Sequence, residues 1–182
     1  METLARPGVE TPILEGWLPG LAGALIALHS RYYAPRLGFG SDLEAQLASW
    51  LAEFLPRFDR ERDLILSAWE GERLLGSLTI DASGDWGARH GDANEARLRW
   101  FIVAPEAQGR GLGKRLMARG MAFVDAAGAA CGLTTVEGLD TARALYERHG
   151  FVLEAQDPGG TYGTEVHEQR FRRPARGGST SG

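Results

Sequence analysis

One segment limits the folds open to this chain more than any other, because it joins a buried strand to a helix through closely spaced glycines. The strand ends at Phe101-Ile102-Val103, Pro105 stops it, and residues 108–113 read Gln-Gly-Arg-Gly-Leu-Gly. Glycine has no Cβ, so the main chain can approach a ligand closely there. Successive N–H groups then converge at a helix end that carries about half a positive charge. Such a turn suits a phosphate or a pyrophosphate.

The hydrophobic periodicity around this turn predicts a mixed α/β fold in one domain over residues 1–174, followed by a flexible tail at 175–182. Helical spacing covers Trp17 to Tyr32, and a second helix, capped by Ser41, extends to Leu55. A long helix is expected at 110–127 and a shorter one at 140–149. Strands are expected at 64–69, 74–80, 97–104, 133–136, 151–154 and 165–171, with a polar loop at 81–96. Residues 1–16 are expected to be irregular, with at most a short strand around Pro12–Leu14.

Composition excludes several classes of protein. A chain of 182 residues with 43% hydrophobic residues and a net charge of -4 resembles a soluble globular domain, and no nucleic-acid partner is expected. No run reaches the roughly 18 apolar residues of a membrane span, and the N-terminus lacks a signal-peptide pattern, so no membrane partner and a cytoplasmic location are expected. The single cysteine, Cys131, excludes an internal disulfide and a multi-cysteine zinc site, and no metal is expected.

Two common nucleotide-binding motifs do not fit the glycine-rich turn. A P-loop requires glycine at position 108 and Ser or Thr at 115, where this chain has Gln108 and Arg115. A dinucleotide-binding fingerprint requires its third glycine at 114, where this chain has Lys114. The turn also comes after two helices and three strands, whereas the dinucleotide turn normally follows the first strand.

The turn instead resembles the (Gln/Arg)-x-x-Gly-x-(Gly/Ala) motif of the GNAT superfamily of N-acetyltransferases. A second block, Ala-Arg-Ala-Leu-Tyr-Glu-Arg-His-Gly-Phe at 142–151, is similar to that family's Ala-x-x-Leu-Tyr-x-x-x-Gly-Phe. The resemblance extends from Glu15 to Arg172 and is strongest to acetyltransferase domains often fused to MarR-type regulators, whose DNA binding is not carried over. It implies a mixed sheet with splayed strands, and transfer of an acetyl group from the cosubstrate acetyl-CoA to a primary amine of a small molecule or peptide.

The resemblance also implies cofactor contacts. The pantetheine arm is expected along Phe101, Ile102 and Val103, with the N–H of Phe101 as oxyanion donor. Asp140 stands where the family often has a CoA-binding asparagine, and it would equally serve as a helix cap. The pyrophosphate is expected on the residues of the turn, namely Gln108, Gly109, Arg110, Gly111, Leu112, Gly113 and Lys114.

For catalysis, Tyr146 matches the family tyrosine that protonates the departing thiolate or lies near the sulfur, although a packing role would also fit its helical stripe. Many relatives have a glutamate where this chain has Arg97. Glu95 would point the same way if the strand began early enough, but it is more simply interpreted as a solvated loop residue. Further candidates for the base are Glu165, His167 and Glu168 on the last strand, and transfer to water needs no dedicated base.

The acceptor is expected against the first two helices, near His29, Tyr32, Tyr33 and Phe39, with Trp86 as a residue that could close over a ligand. Arg97 and Arg99 suit an acidic acceptor or a CoA phosphate. Arg97 also motivates an alternative, a catalytically silent acyl-CoA-binding regulatory module. A weaker alternative is nucleic-acid binding through four C-terminal arginines, which are more simply interpreted as a solvated tail. The four are Arg170, Arg172, Arg173 and Arg176.

The oligomeric state is left open, with a homodimer among the alternatives.

Overall fold

A computed structural model describes residues 10–176, so the predicted flexible tail at 175–182 falls mostly outside the described residues. Seven strands and five helices occur in this part of the chain. None of these helices is long and apolar enough to cross a bilayer. In chain order the elements are β1 Ile13–Glu15, α1 Leu21–Leu37, α2 Ser41–Phe54, β2 Leu64–Glu70, β3 Arg73–Asp81, α3 Trp86–Arg89, β4 Glu95–Val103, α4 Leu112–Ala126, β5 Ala130–Val136, α5 Asp140–Arg148, β6 Val152–Gly159 and β7 Val166–Arg173.

The strands form one sheet in the order β1-β2-β3-β4-β5-β7-β6, and only the β4–β5 pair is parallel. Helices α4 and α5 pack on one face, where Leu116 and Tyr146 belong to the larger hydrophobic core. Helices α1 and α2 cover the other face around Leu25, Leu47 and Phe54. The expected mixed α/β sheet flanked by helices is therefore confirmed.

The two central strands separate soon after they meet. Strands β4 and β5 pair at three positions only, from Glu95 opposite Ala130 to Arg97 opposite Gly132. Beyond Arg97 each strand keeps only its outer partner, β3 for β4 and β7 for β5. This divergence, called the fork below, opens the sheet in its middle.

Strand β4 is also bulged within the fork. Thr79 pairs with Arg99 and Ser77 pairs with Ile102, so Trp100 and Phe101 together lie opposite the single residue Leu78. Trp100 has φ 49°, the only positive φ outside glycine among the described residues. The Ser77 hydroxyl donates a 2.7 Å hydrogen bond to the Trp100 carbonyl and holds this turned backbone in place.

Several predicted boundaries were wrong for identifiable reasons. Strand β4 begins at Glu95 and β5 at Ala130, because tertiary pairing extends strands into segments whose alanine and glycine have low β propensity. Neither Ser41 nor Asp140 caps its helix: the caps are Gly40 and Leu139, and no side-chain cap bond forms at either end. The predicted loop at 81–96 contains the short helix α3.

Of the four C-terminal arginines, Arg176 has a side chain that is 71% exposed, as a solvated tail requires, but the other three do not. Arg172 pairs with Glu95 at 2.5 Å and with Asp92 at 2.7 Å. The Arg173 side chain is only 3% exposed and lies 2.7 Å from Asp125. These ion pairs anchor β7 to the start of β4 and to α4, so the arginines act within the fold.

Candidate active site

An open groove of about 410 Å³ begins at the glycine-rich turn and follows β4 into the fork. Its floor includes the backbone of Phe101, Ile102 and Val103, and its far wall is the start of α5. The basic residues that line it are Arg36, Lys114 and Arg148, and Asp140 contributes a carboxylate. Of the seven turn residues predicted to hold a pyrophosphate, all except the exposed Arg110 line this groove.

The turn has the backbone geometry of an anion site. Gly109 and Gly111 adopt φ values of 74° and 80°, which L side chains rarely adopt. Gly111 is the N-cap of α4, and no side chain caps this end, so the first-turn N–H groups have no intrahelical partners. The Gln108 side chain donates a 3.0 Å hydrogen bond to the Val103 carbonyl and fixes the turn to the end of β4. An anionic ligand fits this cradle.

A smaller cavity of about 100 Å³, the acceptor cavity below, lies on the α1–α2 side of the fork. Helices α1 and α2 supply His29, Tyr33, Leu47 and Trp50 to its wall, and the β6–β7 connection supplies Tyr162. The groove and the acceptor cavity share Tyr33, Phe101 and Leu139. The two spaces therefore meet beside the bulge in β4.

Tyr146 lies at this meeting point. Its ring is 5% exposed and packs against Phe101, Phe151 and Phe171, with ring centroids 6.0, 6.0 and 6.1 Å away. It also lines the acceptor cavity. Burial, with a smaller contribution from the nearby Tyr32, raises the pKa of the phenol well above its usual value of 10. The phenol is therefore protonated at neutral pH.

Glu95 lies away from both cavities, at the closed end of the fork. Its side chain is fully buried and accepts hydrogen bonds from Arg172 at 2.5 Å, from Arg170 at 3.1 Å and from the Trp86 indole at 2.8 Å. Strand β4 begins at Glu95, so Glu95 and Arg97 lie on the same face of the strand. This was the condition for Glu95 to take the place of the missing glutamate. Its oxygens are nevertheless occupied by cations, which makes Glu95 an anchor of the sheet. The same hydrogen bond holds Trp86 outside the lining of the acceptor cavity.

The polar residues of β7 also lie outside both linings. Glu168 accepts a 2.6 Å hydrogen bond from the Thr161 hydroxyl and pairs across the sheet with Val136, which puts it near the rim of the acceptor cavity. The exposed His167 contacts Glu137 at 2.9 Å. Glu165 is exposed and precedes the strand. None of the three faces the meeting point of the groove and the cavity.

The tyrosine pair at 32 and 33 divides between the two spaces. Tyr32 lines the groove alone, and the Arg36 guanidinium lies 3.9 Å from the centre of its ring. Tyr33 lines both spaces and packs edge-on against Tyr32, with ring centroids 5.0 Å apart. The structure thus places Tyr32 in the groove and Tyr33 at its junction with the acceptor cavity.

Arg99 lines the acceptor cavity, and its Nη1 is engaged by protein carboxylates. It donates to Asp81 at 2.8 Å and approaches Glu53 at 3.5 Å, and its side chain is 5% exposed. Arg57 holds both oxygens of the same Asp81 at 2.8 and 2.7 Å. Burial alone would raise the pKa of Asp81, but the hydrogen bonds from Arg57 and Arg99 outweigh it and keep that pKa below its usual value.

The acceptor cavity is also lined by His29, Trp50 and Tyr162. The pattern of α2 marked Trp50 as a core residue, and Tyr162 lies in a Gly-rich connection that carried no signal at all. His29 Nδ1 lies 2.8 Å from the Leu25 carbonyl, so Nδ1 carries the proton and Nε2 is an acceptor. Burial lowers the pKa of His29 to about 4, which keeps the ring neutral at pH 7.

Comparison with known proteins agrees with this architecture. The model of the acetyltransferase (GNAT) family matches residues 25–151. A mycothiol acetyltransferase of Geodermatophilus obscurus is 38% identical over 120 residues, which are 60% of this chain and 36% of that protein. The chain thus spans about a third of the length of that relative.

Two solved structures show the same fold at low sequence identity. The GNAT-family acetyltransferase of Streptococcus pneumoniae has a TM-score of 0.62 and 20% identity, covering 89% of this chain and 99% of that one. A Salmonella typhimurium protein solved with acetyl-CoA has a TM-score of 0.63 and 17% identity, covering 94% and 99%. Because the family model matches most of the chain, this protein belongs to the GNAT family of acetyltransferases.

Proposed function

We propose that this protein transfers the acetyl group of acetyl-CoA to a primary amine of a small molecule. The observation that carries the proposal is the junction of the groove with the acceptor cavity at Phe101, inside the fork. One space has the anion cradle and length suited to a CoA chain, and the other is small and lined by aromatic and polar groups. A thioester at the junction would face the acceptor directly.

In this proposal the turn from Gln108 to Lys114 holds the pyrophosphate through its backbone N–H groups and the positive end of α4. Lys114, Arg36 and Arg148 neutralise further phosphate charge. The pantetheine arm follows the edge of β4 that the fork leaves without a β5 partner. Asp140, at the first turn of α5, lies close enough to contact the arm or the nucleotide.

The amine nitrogen attacks the thioester carbonyl carbon, an N–C bond forms, and the C–S bond breaks. The carbonyl oxygen becomes negative in the tetrahedral intermediate, and the Phe101 N–H beside the bulge is the proposed donor to it. The departing sulfur takes a proton from the Tyr146 hydroxyl. The nitrogen loses a proton to water, and water returns a proton to the Tyr146 phenolate, so the products are an amide and a free CoA thiol.

The acceptor must reach the carbonyl carbon as a neutral amine. No Asp or Glu lines the acceptor cavity among residues 10–176. The neutral His29, which lines the cavity, offers Nε2 as a hydrogen-bond acceptor for the amine. With a pKa near 4 it is a weak base, so its role here is to orient the nitrogen lone pair while water carries the proton away.

The experiment is to follow release of the free CoA thiol with a panel of small primary amines, for the wild-type protein and Tyr146→Phe. Loss of the proton donor should lower kcat by about 10²-fold or more, with little change in KM for acetyl-CoA. The ring and its packing survive this change, so binding should not suffer. Tight acetyl-CoA binding without turnover of any amine would favour the regulatory module instead.

A further inference from the structure

We propose that the acceptor amine carries a carboxylate, and that the guanidinium of Arg97 binds it. This inference rests on the proposed function and specifies the class of acceptor. It makes Arg97 a residue that determines specificity, at the position where the family resemblance leads one to expect a glutamate.

The first support is charge balance. Arg57 and Arg99 share two carboxylates, Asp81 and Glu53, through four contacts between 2.6 and 3.5 Å. Arg97 stands opposite Asp81 in the β3–β4 register, yet it has no carboxylate within ion-pair distance among the described residues. Three cations thus face two anions, and the surplus positive charge resides on Arg97.

The second support is the absence of acidic groups from the lining of the acceptor cavity. Of the 18 residues that line it, none is Asp or Glu, and all of them lie in the described part of the chain. Apart from Arg97 and Arg99, the lining offers polar atoms of neutral side chains such as Thr134, Thr135 and Tyr162. A cationic acceptor such as a polyamine would meet an uncompensated positive charge there, whereas an anionic acceptor would neutralise it.

The third support is the orientation of the Arg97 side chain. Its Nη2 donates a 3.2 Å hydrogen bond to the Thr134 hydroxyl, two residues beyond Gly132, the last β5 position that pairs with β4. The guanidinium therefore extends into the fork, by about 7 Å along the strand, toward the level of Phe101. The centres of the Trp86 and Trp50 rings lie 4.4 and 5.9 Å from its central carbon, within the distance of cation–π contacts that favour one position of the guanidinium.

A guanidinium held in one plane can bind both oxygens of a carboxylate, and such charge-assisted pairs are stronger than neutral hydrogen bonds. Burial and the neighbouring Arg99 lower the pKa of Arg97 to about 10. Its surroundings therefore disfavour the charged form, but the group is still charged at pH 7. A bound carboxylate relieves that cost. The cavity volume of about 100 Å³ restricts the acceptor to a small molecule of amino-acid size.

The experiment compares amines with and without the charge, such as glycine, β-alanine and glutamate against their carboxamides, in the thiol-release assay. The amine of a carboxamide is less basic and more often neutral, so a preference for the acid cannot come from amine protonation. We expect kcat/KM to favour the acid by roughly 10- to 100-fold, the range for a hydrogen bond to a charged group. Arg97→Gln should bring the ratio close to one, and Arg97→Lys should retain part of it.

The KM for acetyl-CoA should change less than about twofold in both variants, because Arg97 does not line the groove. Arg119→Gln is the matched control: this exposed arginine of α4 pairs with Glu15 and lies outside both cavities. Turnover of carboxamides as fast as acids by the wild type, or an unchanged ratio in Arg97→Gln, would overturn the carboxylate assignment and leave the acetyltransferase function standing.

A binding measurement separates the two proposals if no amine is acetylated. Titration of N-acetylglycine and of N-acetylglycinamide into the CoA-saturated protein reports on the acceptor cavity without catalysis. Binding of the acid alone, lost in Arg97→Gln, would support the anion site while the acetyltransferase proposal fails. Equal binding of acid and amide, or binding of neither, would reject the anion site.

Discussion

Burial decides the protonation of His29, and that protonation links stability to pH. The ring is 5% exposed and its pKa falls to about 4, against an ordinary value of 6.5 in the unfolded chain. Between these two values the unfolded state binds more protons than the folded state does. The free energy of unfolding therefore rises with pH over this interval, and acidification from 6.5 toward 4 destabilises the fold.

The first prediction concerns the size of this effect. At pH 4.5 the His29 contribution amounts to a loss of about 2.5 kcal/mol relative to neutral pH. Urea unfolding of the wild type and of His29→Asn at pH 7.5 and pH 4.5 measures it, since Asn can still donate to the Leu25 carbonyl. The variant should lose less stability on acidification by about that amount. Equal losses in both proteins would show that His29 is protonated in the folded state.

Residues 95, 97 and 99 show how far sequence reasoning extends at this scale. Their alternation on one face of β4 was predictable from the strand period. Their roles were not, because each depends on residues distant in sequence. Glu95 pairs with Arg170 and Arg172, and Arg99 pairs with Asp81, whereas Arg97 has no carboxylate partner within residues 10–176. Only the fold determines that Glu95 and Arg99 are paired with opposite charges, whereas Arg97 keeps its charge available for a ligand.

Strand β4 is nine residues long, and its paired beginning differs from the part that forms the edge of the fork. Its first three residues pair with β5, and Glu95 ties them to β7 and α3 through Arg170, Arg172 and Trp86. Gly132 of β5 permits this arrangement, since a Cβ there would collide with the Glu95 carboxylate and the Trp86 indole. The remaining residues are bulged and form the edge of the fork.

The second prediction tests whether Glu95, in the paired part of β4, has a structural or a catalytic role. Glu95→Gln removes the buried carboxylate that Arg170 and Arg172 share and leaves them with their outer partners Glu154 and Asp92, which should cost about 1.5–3 kcal/mol of unfolding free energy. The urea midpoint should fall accordingly, while activity per folded molecule stays within a few-fold of the wild type. The control Glu137→Gln removes an exposed partner of His167 and should change stability by less than about 0.5 kcal/mol. A stable Glu95→Gln protein with activity reduced by orders of magnitude would identify Glu95 as the base.

The sequence was sufficient for most elements and for the geometry of the glycine-rich turn, and insufficient for the acceptor cavity. Periodicity located α1, α2, β2, β3, α4 and α5 because each has a clear apolar stripe or run. The turn was identifiable because its geometry depends on consecutive residues. The acceptor cavity draws Tyr162, Trp50 and Arg97 from three separate parts of the chain, and no local pattern relates residues that meet only after folding.

At the scale of the whole molecule, the fork divides the sheet into a β1–β4 half and a β5–β7 half that share three paired positions. The groove runs across this division, with the glycine-rich turn on one side and the start of α5 on the other. A ligand that fills the groove contacts both halves, and because it binds only the folded state it stabilises the whole fold.

The third prediction follows from that linkage. Acetyl-CoA at 100 times its Kd should add about 2.7 kcal/mol of stability, which corresponds to a rise in Tm of roughly 5–10 °C for a chain of this size. Gly111→Glu puts a carboxylate at the cradle and should abolish the rise. The measurement is the difference in Tm with and without acetyl-CoA for each protein, so that any loss of intrinsic stability cancels.

The chain provides a closely matched control for this substitution. Gly20 is also the N-cap of a helix, with φ 84° against 80° at Gly111, and it has open space around its Cβ position and lies outside both cavities. Gly20→Glu imposes the same backbone strain and adds the same charge, so its Tm without ligand should fall by a similar amount while the acetyl-CoA shift is retained. A full shift in Gly111→Glu would place the pyrophosphate elsewhere. Loss of the shift in both variants would mean that strain in the fold, and not charge at the cradle, weakens binding.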